Sequence, residues 1–104
     1  MSDAAGDPSA TPRFVHWFVT GRVQGVGFRY HVQRAALQCG VRGEVRNTRD
    51  GRVEIRAEGS RPQLDRLLQA VRGGPSRARV DGVEVVEDRQ ADPARNFPRF
   101  EIRQ

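Results

Sequence analysis

The chain has 104 residues, of which 37% are hydrophobic, so it has room for one small domain around a single core. No stretch approaches the roughly 18 consecutive apolar residues that a membrane-spanning helix needs, and we expect no membrane association. The net charge is +5 at pH 7, and all 18 basic residues are arginine. The single cysteine, Cys39, excludes an internal disulfide and a cysteine-based zinc site.

The first residues of the chain differ in composition from the rest. Residues 1–12 are small, polar and proline-containing, without the basic start and apolar stretch of a secretory signal. We interpret them as a short disordered tail before a single domain over residues 13–104. The lack of a signal and of a disulfide together favour the cytoplasm.

The arginines are spread along the whole chain and alternate with acidic residues, as in residues 52–58 (RVEIRAE). Guanidinium groups pair bidentately with phosphate, so an arginine-rich surface could bind nucleic acid. Such a surface would need a run of like charge or aromatic residues among the arginines, and the sequence has neither. We therefore predict no nucleic-acid partner, although the charge favours small anionic ligands by steering.

The first half of the chain predicts a strand, a glycine-rich loop, a helix and a second strand. Residues 14–20 (FVHWFVT) are rich in aromatic and β-branched residues, as strands are. Three glycines follow within residues 21–27. Apolar residues then recur at helical spacing from Phe28 until Gly40 ends the helix. Residues 41–47 have the composition of a second strand.

A hairpin and a second helix follow. Asp50-Gly51 is a strong turn signal, and the alternation after it predicts a third strand from Val53 to Ala57. Ser60 and Gln63 fit a Ser-x-x-Gln capping box at a helix start. Leucine and valine form the apolar stripe of this helix, and the glycine pair at 73 and 74 ends it.

The remaining segments predict a fourth strand over residues 80–86, a polar loop over residues 87–95 and a short last strand over residues 97–102. The order strand, helix, strand, strand, helix, strand is that of ferredoxin-like α/β sandwiches. We therefore expect an α+β fold whose antiparallel sheet carries two helices on one face. This fold serves many functions and names none by itself.

The predicted topology brings two distant segments together. The first two strands of a right-handed βαβ unit run parallel, so the loop after Gly21 and Asn47 at the end of the second strand should face each other. Glycines allow a loop to turn its N–H groups inward, and the following helix adds positive charge at its start. Arg29 opens that helix and could fold over a bound anion. Taken alone, however, the glycines indicate only a tight turn, and Asn47 only a hairpin residue.

Two motifs carry a resemblance to a known family. Residues 21–29 (GRVQGVGFR) match every defined position of the first acylphosphatase signature, G-x-V-Q-G-V-x-F-R. Residues 43–59 closely resemble the second, G-[FWY]-V-[KR]-N-x3-G-x-V-x5-G. The resemblance extends over roughly residues 13–104. Glu44 departs from it by standing where an aromatic residue is usual; strand alternation predicts that Glu44 lies on the solvent side, paired with arginines.

The resemblance implies an enzyme that hydrolyses acyl phosphates to a carboxylate and inorganic phosphate, without metal or cofactor. It implies that Arg29 and the loop amides bind phosphate and that Asn47 orients the attacking water. The loop residues expected at the substrate are Val23, Gln24, Gly25, Val26, Gly27 and Phe28. The expected partner is a small-molecule acyl phosphate, and a monomer is the default oligomeric state.

Several other residues are weaker candidates. His16 and His31 lie far apart, without carboxylates at metal-binding spacing, and do not predict a metal site. Tyr30 and His31 are near the loop but are expected at exposed helix positions. Cys39 falls on the apolar stripe of the first helix and is expected in the core. Thr48 could tune the orientation of Asn47.

Two other functions stay open at this point. A non-enzymatic ferredoxin-like module could bind RNA or protein through exposed aromatic residues, for which Trp17 or Phe18 would be the candidates. The chain also resembles the acylphosphatase-like domain of hydrogenase-maturation carbamoyltransferases, which acts on carbamoyl phosphate. Those proteins are much longer, and we expect the 104-residue chain not to have that role.

Overall fold

The computed structural model describes residues 11–104, so the predicted tail lies outside the described residues except at positions 11 and 12. The described chain forms five strands, two α-helices and a short 3-10 helix. In chain order they are β1 (Arg13–Arg22), α1 (Phe28–Cys39), β2 (Arg42–Asn47), β3 (Val53–Gly59), α2 (Arg61–Gly73), β4 (Arg79–Gln90), the 3-10 helix (Pro93–Arg95) and β5 (Phe100–Ile102). The predicted ferredoxin-like order is confirmed. No helix in this part of the chain has the length and apolar character needed to cross a membrane.

The strands form one sheet in the order β4-β1-β3-β2-β5. Since β3 pairs antiparallel with both β1 and β2, those two strands run in the same direction, as the βαβ argument predicts. The sheet differs from the expected antiparallel one because β5 runs parallel to β2. The physical reason is the position at which β4 ends. It ends opposite Arg13, at the end of the sheet where β2 starts, and the chain crosses from there to β5, which therefore runs in the same direction as β2.

The two last strands differ in length from the sequence prediction. The segment from Glu87 to Gln90, predicted as loop, continues β4 and pairs with the first four residues of β1. Its charged side chains carry no apolar alternation that would have indicated a strand. β5 is shorter than expected and begins at Phe100.

The helix boundaries follow the predicted signals. The Ser60 hydroxyl accepts a hydrogen bond from the Gln63 N–H group at 3.3 Å, and the Gln63 side chain accepts one from the Ser60 N–H group at 2.9 Å. This reciprocal capping box satisfies two donors at the start of α2. α1 ends at Gly40, whose φ of 75° is the left-handed conformation typical of a helix C-terminus.

Both helices pack on one face of the sheet and bury its apolar side chains. The buried residues of this core are Val15, Trp17, Val19, Val23, Phe28, Val32, Ala35, Ala36, Val41, Val45, Val53, Ile55, Ala57, Leu64, Leu67, Val71 and Phe100. Cys39 is half-buried and packs against this cluster, in keeping with its predicted place. Alternation along the strands sends the charged residues to the opposite face.

A buried carboxylate lies at the centre of that opposite face. The side chain of Glu54 is only 5% exposed and contacts His16 Nε2 at 2.6 Å and Arg46 Nε at 2.5 Å. Arg56 lies 3.4 Å from the same carboxylate. Burial raises the pKa of Glu54, but the hydrogen bonds from Arg46 and His16 and the nearby positive charges outweigh it, so the net pKa is lowered.

Glu54→Gln is expected to lower the free energy of unfolding at neutral pH by about 1–3 kcal/mol, because it removes the charge that Arg46 and His16 contact. Since the folded-state pKa of Glu54 is lowered, its stabilising contribution is complete above the ordinary pKa and is lost as the pH falls through the folded-state value. Urea denaturation should therefore show a shallower loss of stability below about pH 4.5 in the variant than in the wild type.

The exposed carboxylate of Asp65 in α2 provides the control for this prediction. Asp65→Asn should retain the wild-type pH dependence of unfolding. If Glu54→Gln also retained it, Glu54 would not be the group that links acid pH to stability.

Candidate active site

A cleft of about 190 Å³ opens at the edge of the sheet where β1 and β2 end. Its lining residues come from the loop after β1, the first turn of α1, the end of β2 and β5. They are Val23, Gly25, Gly27, Phe28, Arg29, Tyr30, Asn47 and Ile102. The fold thus brings Arg29 and Asn47 into one cleft, where strand direction predicts them to be.

The glycines of the loop have two different roles. Gly25 and Gly27 have φ angles of 73° and 78°, and a Cβ atom on either would meet no atom within 4 Å. Glycine is therefore favoured at these two positions because of their left-handed backbone conformation, and not because a side chain would clash. Gly21 differs, since a Cβ atom there would lie 2.1 Å from the Arg79 carbonyl oxygen. It allows β1 and β4 to approach each other, while Gly25 and Gly27 shape the loop.

The loop and the start of α1 present N–H groups that have no protein acceptor. The first hydrogen bond into α1 is donated by the His31 N–H group to the Gly27 carbonyl at 3.0 Å. Gly27 caps the helix without a side chain, and the first turn contains no acidic residue. Within residues 11–104, no N–H group of residues 24–30 donates a hydrogen bond. Unpaired donors at a helix N-terminus form a site suited to an anion.

Arg29 lies half-buried beside these donors. Its Nη1 atom donates a hydrogen bond to the backbone carbonyl of Arg103 at 3.0 Å, just beyond β5. A guanidinium group carries five N–H donors in a fixed plane, so this contact orients the group and leaves donors for a ligand. Sequence patterns did not indicate this partner, because the two residues are far apart along the chain.

Asn47 ends β2 on the other side of the cleft, paired with Val53 of β3. Its Oδ1 atom is buried and has no hydrogen-bond partner among the described residues. A buried acceptor without a partner costs free energy, which makes such atoms rare away from functional sites. The residue itself lines the cleft, so its side-chain amide can form a hydrogen bond with a water molecule or ligand there.

Gln24 connects the two sides of the cleft. Its Nε2 atom donates hydrogen bonds to the carbonyl oxygens of Thr48 and Arg52, both at 2.8 Å. The side chain therefore fastens the glycine loop to the turn that follows Asn47. The family resemblance predicts Gln24 at the substrate. In the structure its side chain has a positioning role, and its N–H group is a donor without a partner in residues 11–104.

The remaining loop residues contribute through their backbone. The side chains of Val23 and Phe28 are both 1% exposed and belong to the core, and Val26 packs against it. Their apolar side chains anchor the loop on the sheet. Only their backbone groups are therefore suited to bind an anion.

Three neighbouring candidates take structural positions. Tyr30 lies at the rim of the cleft and is exposed, as expected. His31 is half-buried rather than exposed, because its Nε2 atom donates a hydrogen bond to the Ala70 carbonyl at 2.8 Å and joins the two helices. The Thr48 hydroxyl does not contact Asn47: it accepts from the Arg52 N–H group at 3.0 Å, and its hydrogen bond with Asp50 holds the pKa of that carboxyl below its ordinary value.

The described residues do not form a metal site or an aromatic surface for RNA binding. Within residues 11–104, no group of three or more histidine, cysteine or acidic residues is placed to hold a metal ion. Trp17 is buried in the core, and Phe18 is covered by the Arg52 guanidinium, 4.1 Å from the ring centre. Neither aromatic ring is therefore free to stack on RNA bases.

Comparison with known proteins identifies the family. The acylphosphatase family model matches residues 15–102, and the chain belongs to the acylphosphatase family. It is 52% identical over 86 residues to an acylphosphatase of Koribacter versatilis, covering 83% of this chain and 76% of the relative. The acylphosphatase of Archaeoglobus fulgidus is 47% identical over 85 residues, covering 82% and 91%. The crystal structure of Bacillus subtilis acylphosphatase superposes with a TM-score of 0.81 at 38% identity, covering 89% of this chain and 99% of that one.

Gln24→Ala removes both hydrogen bonds between the loop and the β2–β3 turn. We expect inorganic phosphate to bind about tenfold more weakly to this variant, since the loop donors lose their fixed position while the core is unchanged. Titration calorimetry with phosphate measures the effect. Gln69→Ala, an exposed glutamine of α2, is the control, and equal affinities of the two variants would contradict the anchoring role of Gln24.

Proposed function

We propose that this protein hydrolyses the carboxyl–phosphate bond of acyl phosphates and releases a carboxylate and inorganic phosphate, without a metal or cofactor. One observation carries the proposal: amide donors without a protein acceptor, Arg29 and Asn47 line one cleft in the described part of the chain. Membership of the acylphosphatase family and the acylphosphatases among its relatives support the same reaction.

Phosphate binding follows from the charges around the cleft. Arg29 is the sole charged residue among the described residues that line it, so no carboxylate there repels an anionic substrate. The N–H groups of residues 24–29 bind the phosphoryl oxygens, and the start of α1 adds its partial positive charge. The guanidinium of Arg29 pairs with two of those oxygens. As the transition state forms, these donors stabilise the charge spread over the equatorial oxygens.

Asn47 positions the water molecule that attacks the phosphorus atom. A water molecule forms a hydrogen bond with the side-chain amide of Asn47, which fixes the water in line with the bond to be broken. Its oxygen forms the new bond to phosphorus as the bond to the carboxyl oxygen breaks, and the carboxylate leaves with the electron pair. Asparagine does not act as a base near neutral pH, so a phosphate oxygen of the substrate takes the proton.

Hydrolysis of an acyl phosphate requires few protein groups, which agrees with the small number of groups that the proposed mechanism uses. An acyl phosphate is a mixed anhydride, and its carboxylate is a good leaving group. Binding, charge neutralisation and water positioning are therefore sufficient, without a nucleophilic side chain or a metal-bound hydroxide.

We also propose that the domain over residues 13–104 acts as a cytoplasmic monomer. The groups that the proposed mechanism uses, Arg29, the loop amides and Asn47, all belong to this chain. The single cysteine allows no internal disulfide, which suits a reducing compartment.

The purified protein is expected to hydrolyse benzoyl phosphate in the presence of EDTA, with inorganic phosphate as a competitive inhibitor because it occupies the phosphoryl site. Arg29→Ala should abolish measurable phosphate binding and turnover. Asn47→Ala should keep the phosphate affinity within about twofold while kcat falls at least about a hundredfold, since only the attacking water loses its partner. Initial rates and phosphate inhibition constants measure both effects.

Arg66→Ala, an exposed arginine of α2, is the control for a general loss of positive charge and should behave as wild type. Hydrolysis that requires an added divalent metal would refute the proposed reaction. Wild-type rates in both Arg29→Ala and Asn47→Ala would instead show that the reaction takes place elsewhere on the protein.

A further inference from the structure

Glu44 departs from the second family signature and lies close to the candidate site. Its side chain is 18% exposed and lies on the charged face of the sheet. Oε1 lies 3.2 Å from Arg103 Nε, and Oε2 lies 3.4 Å from Arg56 Nη1. The predicted pairing of Glu44 with arginines is therefore confirmed, and one of these arginines belongs to the segment that contacts Arg29.

Arg103 is the link between Glu44 and the cleft. Its N–H group donates a hydrogen bond to the Val45 carbonyl at 2.8 Å, and its side chain pairs with Glu44. Its own carbonyl accepts the hydrogen bond from Arg29 Nη1. Adjacent residues of β2 thus hold Arg103 by its backbone and by its side chain, while Arg103 holds the phosphate-binding arginine.

We propose that Glu44 is a positioning residue for phosphate binding: by clamping Arg103 onto β2, it fixes the carbonyl that orients Arg29 in the cleft. This inference rests on the proposed role of Arg29 in binding phosphate. The three residues Glu44, Arg103 and Arg29 together form the clamp.

The strand that precedes Arg103 explains why a clamp is needed. β5 has three residues and pairs with β2 only over the positions from Gly43 to Val45. Short strands at the edge of a sheet open readily unless they are tied down. The ion pair with Glu44 adds a tie at the residue whose carbonyl must stay in place. An aromatic side chain at position 44 has no carboxylate to accept the hydrogen bond from Arg103 Nε.

Not every contact of this network acts on Arg29. Arg103 Nη2 also lies 3.4 Å from Glu101, but Glu101 belongs to β5 itself, so this contact does not tie β5 to β2. Arg56 pairs with Glu44 from β3 and has no contact with Arg103 or Arg29 among the described ion pairs and hydrogen bonds. These two contacts provide matched controls.

Glu44→Gln and Arg103→Met each break the ion pair between β2 and Arg103. We expect each variant to bind inorganic phosphate about two- to fivefold more weakly, the range for a partly exposed ion pair. The double variant should bind no more weakly than either single variant, because all three lack the same contact. The KM for benzoyl phosphate should rise in parallel, with a smaller change in kcat, and the urea midpoint should stay near that of the wild type.

Glu101→Gln and Arg56→Met should keep wild-type phosphate affinity. The charge-reversed pair, Glu44→Arg with Arg103→Glu, should recover part of the affinity lost in the single variants. Wild-type affinity in both Glu44→Gln and Arg103→Met would overturn the proposal, as would additive losses in the double variant or an equal loss in Glu101→Gln. Should Glu44→Gln not fold, the phosphate affinity of Arg103→Met decides the test by itself, because the Arg103 side chain is exposed.

Titration calorimetry with phosphate needs no turnover, which separates this test from that of the proposed function. A wild-type protein that binds phosphate but does not hydrolyse benzoyl phosphate would refute the proposed reaction and still allow the clamp to be measured. Hydrolysis by the wild type, with unchanged phosphate affinity in the clamp variants, would refute the clamp alone.

Discussion

The shared direction of β1 and β2, on either side of β3, is the constraint on which the site depends. Val53 of β3 lies opposite Val19 of β1 and also opposite Asn47 of β2, so the pairing of both strands with β3 ends in register, and β1 continues to Arg22 beside β4. The glycine loop leaves from one strand end and Asn47 closes the other. The candidate binding group and the candidate water-positioning group therefore face each other because of strand pairing.

The two faces of the sheet have different roles. Helices cover the apolar face, and α1 also directs its unpaired N-terminal donors into the cleft. On the opposite face, Glu54 and Glu44 pair with several arginines. The described lining of the cleft, in contrast, contains Arg29 and no carboxylate. Nine of the 18 arginines form ion pairs within residues 11–104, and Arg29 lines the anion site.

Local patterns in the sequence predict most of the fold but not the long-range contacts of individual side chains. The capping box at Ser60 and the direction of the first two strands were predicted, because both depend on spacing and topology alone. The contacts of Gln24 with the β2–β3 turn and of Arg29 with the Arg103 carbonyl were not, since they join side chains to distant backbone. The extension of β4 past Glu87 was missed because charged residues there obscure the alternation that marks a strand.

The central claim, that the loop donors and Arg29 bind phosphate, is tested most directly by monitoring the backbone amides during a phosphate titration. In ¹H–¹⁵N correlation spectra, the largest and saturable shifts should fall on residues 24–30, with smaller ones on the Asn47 side chain. These N–H groups are unpaired within the described chain and gain a charged acceptor on binding. Saturable shifts at arginines of the open sheet face, with residues 24–30 unchanged, would contradict the account.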